Sequence, residues 1–178
     1  LLKDLEENAR GSVALSVRQS TGMATFVRIS QGGDLHPAAS QARSTQGKAG
    51  GFLDQYGGLF GVSSPASELT QVSSATDQFG ATHVSYQQIY NGVPVFAGIL
   101  RLHTDAEGNL TAANGTFIPD LALDTTPALS QDQAGARALE AVLANPPADD
   151  NNTDALLSLD AADLSAKDNT LYVYRDGL

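Results

Sequence analysis

Apolar and polar residues alternate most regularly between Phe79 and Pro119, FGATHVSYQQIYNGVPVFAGILRLHTDAEGNLTAANGTFIP. Two turn signals divide this stretch into three strand-like runs. Asn91-Gly92 supplies two residues that tolerate the positive φ of a tight hairpin turn. Asp105-Ala106-Glu107-Gly108-Asn109 is a longer connection containing glycine. The pattern predicts a three-strand antiparallel meander. A period of two puts Tyr86, Gln88 and Tyr90 on one face, and Phe96, Leu100 and Leu102 on one face of the next strand, where their apolarity assigns them to the core. Gln87 and Gln88 fit a core less well and mark a hydrogen-bonded edge or a surface meeting another domain.

Alternation also predicts a hairpin over residues 12 to 30, with Val13, Leu15 and Val17 on the first run, a Ser-Thr-Gly turn, and Phe26 and Val27 on the second. The next segment predicts a helix from Pro37 to Tyr56. Pro37 suits its first turn, Phe52, Leu53 and Tyr56 share a face, and Gly57-Gly58 suits its end. Gly47, Gly50 and Gly51 each weaken that helix by about 1 kcal/mol relative to Ala, so packing must hold it. A strand is expected from Glu68 to Ser74. The predicted class is α+β, one helix on a curved antiparallel sheet, because each element has a single apolar side to bury.

A second unit is expected from Thr126, giving modules of residues 1–125 and 126–178. Ser130 and Gln133 form a Ser-x-x-Gln capping box, with Leu129 and Ala134 placed as a hydrophobic staple. The helix from Gln131 to Ala144 carries Leu139, Val142 and Leu143, and Pro146-Pro147 ends it. Strands are expected at Ala155 to Leu159 and Thr170 to Tyr174. Asp176-Gly177 is a hairpin signal with no return strand after it. That edge predicts a fragment, a cleaved piece, or a sheet completed by another protein chain.

The Phe79–Pro119 segment also resembles the propeptide module of secreted zinc metallopeptidases of the thermolysin and fungalysin type. The matching residues are His83, Val84, Tyr86, Gln87, Gln88, Tyr90, Gly92, Val93, Pro94, Val95, Phe96, His103, Gly108, Asn114 and Gly115. The resemblance implies a cystatin-like fold, followed by a partial module of the PepSY type at residues 127–178 that lacks its closing strands. It also implies an extracellular, non-catalytic chain that acts as intramolecular chaperone and inhibitor of a peptidase domain in the same precursor. Zinc and calcium are then expected in that parent domain, and no cofactor in this chain. Gln87, Gln88, Tyr90, Arg175 and Asp176 are the candidate partner contacts. The alternative is a free-standing extracellular module that assembles by strand addition.

Composition narrows the classes. A length of 178 residues with 42% hydrophobic residues suits one ordinary domain or two small ones. Twenty acidic against ten basic residues give a net charge of −10, which disfavours phosphate backbones and anionic membranes as partners. The chain has no cysteine and no apolar run of membrane-spanning length, and it begins Leu1-Leu2-Lys3 without Met, which predicts a processed or incompletely represented chain.

Catalytic chemistry is absent from the motifs. A zinc peptidase needs His-Glu-x-x-His, yet none of His36, His83 and His103 is followed by Glu and no two have that spacing. His83 and His103 fall on neighbouring predicted strands, but no third nitrogen or sulfur ligand accompanies them. Asp150, Asn152 and Asp154 imitate an EF-hand start, with Ala155 and Ala161 where Gly and Glu belong. Ser44 to Lys48 lacks the glycine and the Ser or Thr of a phosphate loop.

Overall fold

The computed structural model describes residues 1–37, 44–145 and 164–175. The chain divides into two compact units, Leu1–Leu123 with Val173–Leu178, and Asp124–Tyr172. The architecture is α+β, as the hydrophobic pattern predicts.

The first unit is built on a six-stranded antiparallel sheet in the order β1-β2-β6-β5-β4-β3. The strands are β1 (Val13–Val17), β2 (Ala24–Ile29), β3 (Leu69–Thr76), β4 (Thr82–Tyr90), β5 (Val93–Thr104) and β6 (Leu110–Gly115). The meander forms as its turn signals require. Asn91 and Gly92 both take positive φ, 49° and 81°, so the hairpin twist matches that of its strands. In the second turn Gly108 has φ 82°, and the Asp105 carboxylate accepts the Asn109 backbone N–H at 2.8 Å.

Side-chain rows cross all six strands. The row Ser74, Val84, Leu102, Ala113, Val27 and Leu15 faces the core. Its four central members are at most 1% exposed. The rows on either side of it point the opposite way, because successive strand residues alternate faces. One outward row runs Ala75, His83, His103, Ala112, Arg28, Ala14; the other runs Ser73, Ser85, Arg101, Asn114, Phe26, Ser16. None of these twelve is buried.

The core face is covered by α1 (Leu2–Asn8) and α2 (Thr45–Tyr56). The second of these buries Lys48, Ala49, Phe52, Leu53 and Tyr56, a stripe repeating every three to four residues. It starts at Thr45 and not at Pro37; Ser44 accepts the Gly47 N–H at 3.1 Å and so satisfies one otherwise orphaned donor. Gly57 keeps a right-handed φ of −55° and opens a 3-10 turn, Gly57–Leu59, in place of a left-handed glycine stop. Seven residues are too few for an isolated helix, so α1 exists through the complete burial of Leu5. Glu68 ends a one-turn helix, α3 (Pro65–Glu68), and its carboxylate accepts the backbone N–H of Ser63 and Ser64. The following strand therefore begins one residue later than expected.

In the second unit, α4 (Gln131–Ala144) carries the expected capping box, with both the Ser130 and Gln133 bonds formed. Gln131 and Asn169 exchange side-chain to backbone hydrogen bonds at 3.0 and 3.2 Å. The only buried residue of α4 among those described is Gly135, whose Cβ position lies 2.7 Å from the Asn169 amide nitrogen. The strand expected at Ala155 to Leu159, and the EF-hand imitation at Asp150 to Ala161, lie outside the described residues.

Candidate functional site

Of the residues assigned to partner contact, Gln87, Gln88 and Tyr90 lie on β4 in the β4–β5 ribbon, and Arg175 follows a segment that pairs with β5. From Gln87 to Ile89, β4 advances two residues, while β5 advances five, from Ile99 back to Pro94. This bulge puts Ala97 at φ 58°, a conformation that L residues seldom adopt. It also exchanges the faces of β5: Val95 and Leu100, five apart, both point inward at 0% and 2% exposure. Phe96 is therefore 52% exposed, which corrects its assignment to one core face with Leu100 and Leu102. A period-two reading has no means of registering an odd insertion.

Both glutamines secure this irregularity. The Gln87 side-chain amide donates to the carbonyls of Gln88, Val95 and Gly98, at 3.0, 2.7 and 3.0 Å. Gln88 is buried, and its amide both donates to the Ile118 carbonyl at 2.7 Å and accepts the Ile118 N–H at 2.9 Å. Its side chain thus serves the interior, not a partner surface. Tyr90 Oη accepts the Leu123 N–H at 3.3 Å and donates to the Leu123 carbonyl at 3.4 Å. Carbonyls and N–H groups that the bulge removes from the ladder need such partners, since an unpaired buried amide is costly.

Thr170 to Tyr174, expected as a strand, contributes one isolated parallel bridge instead, Val173 to Val95. Phe96 N–H donates to Val173 O at 2.8 Å, and Val173 N–H to Pro94 O at 2.9 Å. Val173 completes a small apolar cluster with Val95 and Ile118, and the Tyr174 ring lies 5.7 Å from that of Phe96. Arg175 is exposed beside it. Asp176 lies outside the described residues.

A second cluster joins the two strand histidines on the outward face. His83 Nδ1 and His103 Nδ1 are 2.7 Å apart, His83 Nε2 is 3.2 Å from an Asp77 carboxylate oxygen, and His103 Nε2 is 2.7 Å from Asn114 Oδ1. The carboxylate only accepts, so His83 Nε2 carries a proton and, in the neutral ring, His83 Nδ1 accepts from His103 Nδ1–H. His103 Nε2 then donates to Asn114 Oδ1 when that ring is protonated. When it is neutral, Nε2 accepts from the Asn114 amide turned over. Protonating both rings sets two N–H groups against each other. Burial, with the charges of His83 and Arg101 adding to it, holds the His103 pKa below its ordinary value against the opposing Asn114 bond. Asp77 is held below the usual carboxylate range, first by the Phe79 backbone N–H and further by His83 and Ala81, against a smaller effect of burial.

The third cluster was not legible in the sequence. Asp34 and Lys48 form an ion pair at 2.5 Å, with side chains only 3% and 7% exposed. The other Asp34 oxygen accepts the backbone N–H groups of His36 and Leu110, and Lys48 also donates to the Gly108 carbonyl at 2.9 Å. The Leu110 bond ties the Asp34 loop to β6, and Lys48 ties α2 to that loop and to the β5–β6 turn. His36 packs edge-on against Phe52 and Tyr56, and burial followed by the Lys48 charge pushes its pKa down against the pull of Asp34. The one sequence sign was that Lys48 lies four residues before Phe52, on the apolar stripe.

The glutamine and Asp34 clusters secure backbone groups, and the histidine cluster links side chains across β4, β5 and β6. Among the described residues no three His, Asp or Glu side chains gather as a metal site, and the sequence contains no His-Glu-x-x-His. The class they define is an α+β module with a bulged ribbon. Residues 67–117, which are the meander with β3, match the Fungalysin/Thermolysin Propeptide Motif. Over 130 residues the chain is 32% identical to thermolysin from Alicyclobacillus acidocaldarius subsp. acidocaldarius and to thermolysin from Bacillus caldolyticus, covering 71% of this chain and 22% of each relative. Bacillolysin from Bacillus amyloliquefaciens is 33% identical over 106 residues, 58% of this chain and 20% of the relative. The chain spans about a fifth of the length of these relatives. In sequence it resembles the propeptide region of thermolysin-type metallopeptidases.

Proposed function

We propose that this chain is the propeptide region of a secreted thermolysin-like metallopeptidase, acting as intramolecular chaperone and inhibitor of the peptidase domain in the same precursor. The observation that carries this reading is the propeptide-motif match over residues 67–117, on the strands that form the bulged ribbon. In this reading residues 1–125 form the principal module and 126–178 part of a PepSY-like one. The catalytic zinc, and any calcium, belong to the peptidase domain.

The physics is linkage. A module that binds the native peptidase and not its unfolded chain stabilises the native form, by about 4 kcal/mol when its effective concentration is 1,000 times Kd. Tethering in one precursor supplies millimolar effective concentration, so micromolar contacts suffice. Inhibition follows where the same contact excludes substrate. Gln87, Tyr90 and Arg175 then act at the ribbon tip, the first two by holding its shape.

The test is refolding of the denatured mature peptidase domain of the precursor with and without this chain in equimolar amount. Recovered activity should rise at least tenfold when the chain is present and then removed, and the native enzyme should be inhibited by adding it. Equal recovery in both arms, with no inhibition, sinks the reading.

A further inference from the structure

The two complete outward rows of the six-stranded sheet are nowhere buried, and their charge is opposite to that of the chain. Its two complete rows hold twelve residues, among them Arg28, Arg101, His83 and His103, and not one Asp or Glu. The whole chain has twenty acidic against ten basic residues. Arg28 and Arg101 are both exposed, and neither forms an ion pair with a described residue. Asp77, just past the end of β3, is engaged by His83 and by two backbone N–H groups.

The face is also shaped for contact. Seven of the twelve positions are Ala, Ser or Asn, so the surface between the two arginines is low, and Phe26 stands in the Arg101 row at 36% exposure. Arg28 and Arg101 lie on β2 and β5, with only β6 between them. Strand spacing puts them roughly 10 Å apart across the sheet. Solvated sheet faces are ordinary in antiparallel proteins, but solubility alone gives an acidic chain no reason to keep carboxylates off one whole face.

We propose that this face is the docking surface for the peptidase domain, and that the occupant presents carboxylates opposite Arg28 and Arg101. The proposal rests on the propeptide reading and adds to it the surface and the chemistry of contact. Guanidinium groups suit the task because they stay charged and pair with carboxylates through two parallel N–H bonds. The bulged ribbon, in this arrangement, orients the sheet without supplying the main charges.

The experiment measures binding of the full chain to the mature peptidase domain of its precursor by calorimetry at two ionic strengths. The variants are Arg28→Glu/Arg101→Glu, the milder Arg28→Gln/Arg101→Gln, and the control Lys3→Glu/Arg137→Glu, which makes the same charge change elsewhere. Circular dichroism and the thermal midpoint establish that each variant is folded. The expected result is a Kd raised at least tenfold by the Glu pair and less by the Gln pair, reduced salt dependence in both, and little change in the control. Wild-type-like binding by the Glu pair, or equal weakening by the control, overturns this face while leaving the propeptide reading in place. Failure of the wild-type chain to bind removes both.

Discussion

His103 shows how one side chain couples a sheet to pH. Its pKa in the folded chain lies below the ordinary 6.5, with burial as the main cause. The unfolded chain therefore takes up this proton at a higher pH than the folded one. The stability that His103 contributes is complete above about pH 6.5, declines as pH falls below that value, and stops declining once the folded ring is itself protonated. His36 is lowered in the same direction by burial and Lys48. Denaturant midpoints of the wild-type chain should fall between pH 7 and pH 5, before most carboxylates titrate, with a slope no steeper than about 1.4 kcal/mol per pH unit for each group. His103→Asn should flatten part of that slope, the remainder belonging to His36. A wild-type midpoint constant from pH 7 to pH 5 would remove the argument. Neither histidine's environment was readable in advance: His83 and His103 were placed on adjacent strands, but their 2.7 Å contact depends on strand register. The Asp34–Lys48 pair depends on two loops meeting a helix, which no local pattern encodes.

At the scale of elements, what the sequence made legible was whatever has a local cause. The Asn91-Gly92 hairpin, the Ser130 capping box and the Phe52–Leu53–Tyr56 face all follow from residues within one turn of each other. What escaped has a distant cause. The β5 bulge is held by Gln87, and it reverses the faces of Val95 and Phe96; α1 depends on one buried leucine. Gly115 combines both kinds of cause. Its φ of 142° suits glycine, and a Cβ there would lie 2.0 Å from the Ile99 carbonyl oxygen, so the Asn-Gly of the propeptide pattern is a steric requirement of β6 meeting β5. Gly50 is the contrasting case. It lies inside α2 with nothing within 4 Å of its Cβ position. Gly50→Ala should stabilise the fold by roughly 0.5–1 kcal/mol, by restricting the unfolded chain and favouring the helix. That corresponds to a rise of about 1–4 °C in the thermal midpoint for a chain of this size. An unchanged or lower midpoint would mean that α2 is held by packing so completely that its propensity has no influence.

The two units of the whole molecule differ in how they are held. In the first, buried apolar residues from two helices and four strands form one cluster, with Leu5, Val27, Phe52, Tyr56, Val84 and Leu110 wholly inaccessible to water. In the second, α4 buries only Gly135 among the described residues, while Val142 and Leu143 are 39% and 37% exposed. A helix of fourteen residues with a good cap and little packing sits near the limit of what propensity sustains. Local opening free energy scales with the contacts that must be broken, so the units should exchange amide hydrogen on separate scales. Hydrogen-exchange mass spectrometry of the full chain at pH 7 should find β4 and β5 protected to the level of global unfolding, and α4 protected roughly a hundredfold less or worse. Adding the peptidase domain should raise protection in β5 by linkage, because binding stabilises the folded sheet against global unfolding, and should raise it in α4 as well if that helix's exposed apolar side is covered in the complex. Equal protection of α4 and β5 in the free chain would show that the second unit is held by more than the contacts described, and that the two unfold as one.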